Sequence, residues 1–222
     1  MKVIGINGSP RGENSRTKRL IDAVLSGAQE AGADVETISL IDYDFKFRNA
    51  CSICLQQEKC VYLDDFPRVY AKIKEADGIV LGSPVYIDLV TAQMKMLIDR
   101  MADGIQCQSL YGKYGCAVAT SGDHAEGSVV TYLNHFLQML GANPVGGVGV
   151  ALGKDSHAIE KAEGEARELG ETLALAIRTR RKDPALEEFH QRYQKKFEDV
   201  LSRERPEWPL DYDYWVQQAW LW

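Results

Sequence analysis

The sequence predicts an α/β protein: a five-stranded parallel sheet in strand order 2-1-3-4-5, with helices on both faces. Three observations carry this. Five short apolar runs alternate with amphipathic helical segments as far as Arg180. Strands buried on both faces read as such runs, and their alternation with helices implies parallel pairing. Loops suited to a ligand follow the first, third and fourth runs, where a doubly wound sheet presents its crevice. A dinucleotide fold with six strands would need a sixth strand–helix unit, and the sequence offers none.

Lys2 to Asn7 reads as the first strand, ending in a Gly/Ser/Pro/Arg loop. Leu20, Ile21, Val24, Leu25 and Ala28 then share one face of a helix. Asp34 to Leu40 is the second strand, and residues 41 to 64 are irregular. A helix over Phe66 to Ala76 leads into the third strand, Gly78 to Ser83. Thr91 to Ala102 is a helix with Met94, Leu97, Ile98 and Met101 on one side. Tyr114 to Thr120 is a strand, Ser128 to Leu140 a helix and Pro144 to Ala151 the last strand. A long helix runs from about Ser156 to Arg180. Residues 1 to 182 thus form one domain, and 183 to 222 an extension. In the extension Pro184 opens a helix bearing Leu186, Phe189, Tyr193, Phe197 and Val200, and all four tryptophans fall in residues 208 to 222.

Composition narrows the function classes. Net charge is −6 with no long basic run, so nucleic acid is not an expected partner. No apolar stretch approaches the roughly 20 residues of a transmembrane helix, and the N-terminal apolar run is too short for a signal peptide. Five cysteines, three of them within ten positions, suggest a reduced, cytoplasmic chain with one clustered site.

The loop from Gly8 to Thr17 joins strand to helix, where free N–H groups and a positive partial charge favour an anion. Ser9, Ser15 and Thr17 add hydroxyls, and Arg11 and Arg16 add charge-assisted donors. A phosphate monoester suits this set. A plain capped helix start, with Ser15 as N-cap and Pro10 as turn residue, is the structural alternative. The loop is neither a Walker A sequence nor GxGxxG. After the third strand, Ser83-Pro84-Val85-Tyr86-Ile87 offers backbone N–H groups of Val85, Tyr86 and Ile87 to a ligand. Thr120-Ser121-Gly122 ends the fourth strand, followed by His124, the one histidine in a predicted site loop.

Gly8-Ser9-Pro10-Arg11 with Ser15-x-Thr17, and Gly82-Ser83-Pro84-Val85-Tyr86 followed by Met94-Lys95 and Ile98-Asp99-Arg100, resemble one known group. It is the NADPH-dependent FMN reductase and iron–sulfur flavoprotein group of flavodoxin-like proteins. The spacing of the two blocks matches as well, and the resemblance covers roughly residues 1 to 150. It implies a flavodoxin-like three-layer sandwich with FMN as cofactor. The first loop would hold the phosphate, the second the isoalloxazine ring, and Thr120, Ser121 and Gly122 the third contact. Arg16 departs from the family's usual Asn. Asp64-Asp65 resembles the family's helix start, where Asp caps the next helix. Asp99 with Arg100 reads as a structural ion pair or an interface contact.

Iron–sulfur members of the group hold a [4Fe–4S] cluster with four closely spaced cysteines. Here Cys51, Cys54 and Cys60 remain, with Gln57 where the family's third cysteine stands. Three readings stay open: a structural relic, a redox-active thiol pair or three-thiolate zinc site, or a cluster with an outside fourth ligand such as Cys107 of a neighbouring subunit. The aromatic tail could wrap its own domain, roof the flavin or clasp a second subunit. The last is favoured, since group members are commonly dimers or tetramers.

The expectation is an FMN-dependent oxidoreductase of the NAD(P)H:flavin or quinone type. It would pass electrons to a small-molecule acceptor or an electron-transfer protein. The flavin does the chemistry, so no side chain is required as an acid, with Tyr86 and His124 the candidates if one is. An electron-transfer flavoprotein and a non-redox phosphate-ligand binder are the alternatives.

Overall fold

A computed structural model describes residues 1–57, 60–153, 155, 157–204 and 208–218, apart from the side chains of residues 55, 202 and 204. The strands β1 (Lys2–Asn7), β2 (Asp34–Ser39), β3 (Gly78–Pro84), β4 (Tyr114–Ser121) and β5 (Asn143–Ala151) form one parallel sheet in the expected order 2-1-3-4-5. Side chains alternate between its faces. Ile4, Ile6, Ile79, Leu81, Ala117 and Ala119 point to one apolar layer, and Val3, Val80, Cys116, Val118, Val148 and Val150 to the other. Both faces are therefore dry, which is why the strands read as unbroken apolar runs. Each fully buried Ile, Leu or Val adds roughly 1.5–3 kcal/mol.

Helices cover the two layers. On one side lie α2 (Phe66–Glu75), α3 (Ala92–Arg100), the short α4 (Asp103–Gln106) and α5 (Glu126–Met139), contributing Val69, Met94, Leu97, Leu133 and Leu137. On the other lie α1 (Arg16–Glu30) and α6 (Ala158–Thr179), with Leu20, Ile21, Val24, Leu173 and Ala174. Helices α1 and α6 approach backbone to backbone. A Cβ on Gly27 would collide with the carbonyl of Arg167, and one on Gly170 with that of Val24. Only glycine permits this spacing.

The extension begins with α7 (Pro184–Glu204), as the apolar spacing predicts. The aromatic tail then contains an element that the sequence had not marked. Pro209–Gln217 is a further helix, α8, with Pro209 in its first turn. Trp215 is fully buried and donates Nε1–H to the Gln106 carbonyl at 2.8 Å, while Asp211 accepts from the Cys107 thiol at 3.0 Å. This part of the tail wraps its own domain. Trp220 and Trp222 lie outside the described residues. Among the described residues no helix is long and apolar enough to cross a membrane.

Candidate functional site

At the carboxyl ends of β1, β3, β4 and β5 lies a cleft of about 260 Å³. Its walls bring together Ser9, Arg11, Ser15, Arg16, Thr17, Pro84, Val85, Tyr86, Thr120, Ser121 and Gly122 from three separate loops. Leu152 and Gly153, at the end of β5, also line it. The sequence had not pointed to them, because nothing in Ala151-Leu152-Gly153 marks a site. Leu152 N–H and Gly153 N–H donate to the carbonyls of Ser121 and Gly122 at 3.0 and 2.6 Å, which sets the β5 end beside the β4 loop.

The β1–α1 loop is held from below. Asn7 receives the Ser9 N–H on Oδ1 at 3.1 Å and donates Nδ2–H to Ser39 Oγ at 3.1 Å. Thr91 donates its hydroxyl to the Gly8 carbonyl at 2.6 Å, and Gly8 N–H donates to the Gly82 carbonyl at 2.8 Å. A Cβ on Gly8 would sit 2.8 Å from Met94 Cβ, so the close approach of loop and α3 requires glycine. Asn7 and Thr91 are positioning residues that sequence reasoning missed. Their partners lie 32 and 83 residues away.

Uncommitted donors crowd this loop. Ser15 is indeed the N-cap, accepting Lys18 N–H at 3.1 Å, but its hydroxyl proton has no acceptor among the described residues. Capping and anion binding are thus compatible. Ser9 likewise accepts from Arg11 N–H at 3.3 Å and keeps its proton. Thr17 and Thr120 share a buried hydroxyl pair at 2.7 Å. One proton is consumed between them and the other hydroxyl remains a donor. The first-turn N–H groups of Arg16 and Thr17 have no acceptor among the described residues. Neighbouring cations are paired, Lys18 with Glu13 and Asp22 and Arg19 with Glu163. Arg11 and Arg16 have no carboxylate partner among the described residues. Hydroxyl and amide donors with two free guanidinium groups suit a phosphate monoester. The donor chemistry fits FMN at this end.

The ring-side loops differ from expectation. Val85 N–H donates to the Thr120 carbonyl at 2.8 Å, and Tyr86 N–H to the Leu89 carbonyl at 2.8 Å. Of the three N–H groups expected to face a ring, only that of Ile87 lacks an acceptor among the described residues. For Tyr86 the cause is a small hairpin invisible in the sequence. Tyr86 and Leu89 form an antiparallel bridge around Ile87 and Asp88, with φ of 49° and 61°. Positive φ at both central positions is the type I′ requirement, strained for a β-branched residue. Ile87 is 98% exposed and Ser83 fully buried, accepting Thr91 N–H at 3.1 Å. Neither lies on the cleft wall. Tyr86 does, half-exposed at the rim. Ser121 donates to Glu126 Oε2 at 2.8 Å. His124 is not on the wall. It stands outside, between Asp123 and Asp88.

Cys51, Cys54 and Cys60 line a second cavity, also about 260 Å³, with Arg48, Arg100 and Asp103. Its arginines and Asp103 are committed internally. Arg100 pairs with Asp64, both side chains nearly solvent-free, and also donates to the Lys46 carbonyl at 2.8 Å. Asp99 pairs instead with Lys95, so the expected Asp99–Arg100 partnership is replaced by two others. Burial opposes ionisation of Asp64, but hydrogen bonds from Arg100, Lys46 and Phe66 hold its carboxyl below the usual range. Asp64, not Asp65, accepts the Phe66 N–H at the start of α2. The Cys54 thiol donates to Asp103 at 2.9 Å, and burial together with that carboxylate pushes it up to about 12. A [4Fe–4S] cluster takes four thiolates. This loop offers three, with the exposed Gln57 at the remaining place. The Cys107 thiol donates to Asp211 of its own chain at 3.0 Å. These residues do not fit a four-thiolate cluster.

A doubly wound 2-1-3-4-5 sheet with an anion cradle after its first strand defines the flavodoxin-like phosphate-ligand class. The model of the NADPH-dependent FMN reductase family matches residues 1–157, and the chain belongs to that family. It is 31% identical to an iron–sulfur flavoprotein of Archaeoglobus fulgidus over the whole of both chains. It is 37% identical to an iron–sulfur flavoprotein of Methanocaldococcus jannaschii, over 79% of this chain and 98% of that one. A flavodoxin WrbA-like protein from Agrobacterium tumefaciens superposes with a TM-score of 0.58 at 18% identity, covering 81% and 99% of the two chains. The chain is an FMN-dependent oxidoreductase on a flavodoxin-like fold.

Proposed function

We propose that the β1–α1 cradle holds the FMN phosphate, that the loops after β3 and β4 flank the ring, and that NADH or NADPH is the electron donor to a small-molecule acceptor such as a quinone. The donor set of the cradle carries this reading: N–H groups of Arg16 and Thr17, and guanidinium groups of Arg11 and Arg16, that have no acceptor or carboxylate partner among the described residues. Bound FMN supplies hydride chemistry at its N5 atom. The protein's residues bind and orient. Arg11 and Arg16 neutralise the phosphate, while Ser9, Ser15 and the Thr17–Thr120 pair fix its oxygens. Pro84 and Val85 give one side wall, Ser121 and Gly122 the other, and Tyr86 shields the rim. FMN titrated into flavin-free protein should lose fluorescence, and NADH or NADPH should bleach the complex without oxygen. Protein that takes up no FMN would overturn the reading.

The cysteine loop is, on this reading, structural. Iron and acid-labile sulfide, with broad visible absorbance in anaerobically purified protein, would instead support an electron-transfer flavoprotein. We also read residues 1–182 as the flavin domain and 183–222 as its extension, the latter supported by the aromatic cluster of Phe197, Trp208 and Trp215 around Leu201. A homodimer or homotetramer is expected from the exposed Tyr86, Ile87 and Leu89 at the cleft mouth, and light scattering measures it.

A further inference from the structure

Two loops form the ring-side walls of the cleft, and at their bases one backbone bond joins them, Val85 N–H to the Thr120 carbonyl. Beyond it stands a second tie. His124 Nε2 lies 2.8 Å from Asp88 Oδ1, across the gap, and Nδ1 lies 2.6 Å from Asp123 Oδ1 on its own loop. Asp88 sits at the strained tip of the Tyr86–Leu89 hairpin, with φ of 61°. Among the described residues, Asp88 and Asp123 are the charged groups that face the imidazole.

Resting on the FMN reading above, we propose that His124 is a positioning residue: a bracket between the β3 and β4 loops that sets the width of the flavin cleft and works only as an imidazolium. The chemistry is a count of protons. Each carboxylate accepts, so both contacts need an N–H, and an imidazole carries two only when protonated. Once neutral, it has one N–H for two carboxylates, and one contact becomes a lone pair facing an oxyanion. Asp123 is adjacent in sequence and stays near in either case. The contact across the gap, to Asp88, is the one whose loss frees the hairpin. The two carboxylates raise the proton affinity of His124 above its ordinary value, Asp123 more than Asp88. The bracket is therefore complete below the ordinary histidine range and lost as pH rises through the raised value. Its role is confined to holding walls. His124 lines no part of the cleft and is not assigned contact with a reacting atom.

The test is FMN affinity of the full chain by fluorescence quenching across pH, in wild type, His124→Arg and His124→Gln. The phosphate of FMN titrates in the same range, so the ratio between variants is the quantity read. The Arg variant is charged throughout and donates to both carboxylates. The wild-type Kd divided by the Arg-variant Kd should be flat at low pH and rise about two- to fivefold above the histidine pKa, the size of an exposed ion pair. The Gln variant should bind weakly by the same factor at low pH and lack the step. Proton NMR of His124 in flavin-free protein gives the second readout: Asp88→Asn and Asp123→Asn should each lower its pKa, and Asp88→Asn, whose amide can donate to neutral Nε2, should abolish the affinity step. A flat ratio, or a Gln variant with the wild-type step, overturns the bracket while leaving FMN binding intact. Absence of FMN binding in every variant overturns the cofactor reading instead.

Discussion

The β1–α1 loop and the cysteine loop are both polar segments rich in charge, yet they use it in opposite ways. In the first, Arg11, Arg16, Ser9 and Ser15 keep donors without acceptors among the described residues. In the second, Arg100 closes on Asp64 and Arg48 on Asp103, and the Cys54 thiol closes on Asp103 as well. A ligand site is legible as donors left open toward a cavity. A structural loop is legible as donors closed upon the chain itself. The cysteines drew the eye in the sequence, but their surroundings have the second character.

The sharpest way to break this contrast is Arg100→Ala. It strands the buried Asp64 carboxylate, so stability should fall by about 3–5 kcal/mol, measured by urea denaturation. An effect below ~1 kcal/mol would make the pair ornamental. The same carboxylate predicts an acid limb. Its folded pKa is depressed, so its contribution is complete above the ordinary carboxylate range and lost as pH falls through the folded value. Denaturation at a series of acid pH values should show that loss in wild type, and a smaller one in Arg100→Ala. On the cradle side, Arg11→Ala and Arg16→Ala should leave stability unchanged within ~0.5 kcal/mol. Each should weaken FMN binding about tenfold, or ~1.4 kcal/mol, the low end for hydrogen bonds to a charged group. Fluorescence titration checks it, and equal affinity in the double variant would remove the cradle from the reading. The smallest effect belongs to Cys51→Ser with Cys54→Ser and Cys60→Ser. The hydroxyl that replaces the Cys54 thiol keeps the bond to Asp103, so stability should shift by about 1 kcal/mol or less and FMN affinity stay within error. A large loss of flavin in that triple variant would reverse the assignment of the two loops.

Much of the fold could be read from the chain because its signals are local. The Leu20, Ile21, Val24, Leu25 stripe and the apolar runs at Lys2–Asn7 and Tyr114–Ser121 carry their own periodicity, and the structure buries those residues where the pattern placed them. Most of the cleft wall was legible for the same reason, since loops after parallel strands share one end of the sheet. What escaped depends on distant partners. Nothing near Val85 or Tyr86 shows that their N–H groups are taken by Thr120 and Leu89. Arg100 has Asp99 beside it in sequence, yet its partner is Asp64, 36 residues away. Helix α8 was hidden because its buried side carries the charged Asp211 beside Trp215 while the apolar Val216 is exposed, so polarity does not separate a buried side from a wet one.

The glycine contact between α1 and α6 has a consequence for how cofactor comes and goes. Gly27 and Gly170 lock the two helix backbones together, so α1 has no room to tilt or slide without α6. The first turn of α1 is the anchoring end of the cleft. The opposite wall hangs on a short hairpin with an exposed tip, tied by the Val85–Thr120 bond at its base and by the Asp88–His124 contact beyond it. On the proposed FMN reading, entry and exit are asymmetric: the anchor stays still and the hairpin side yields.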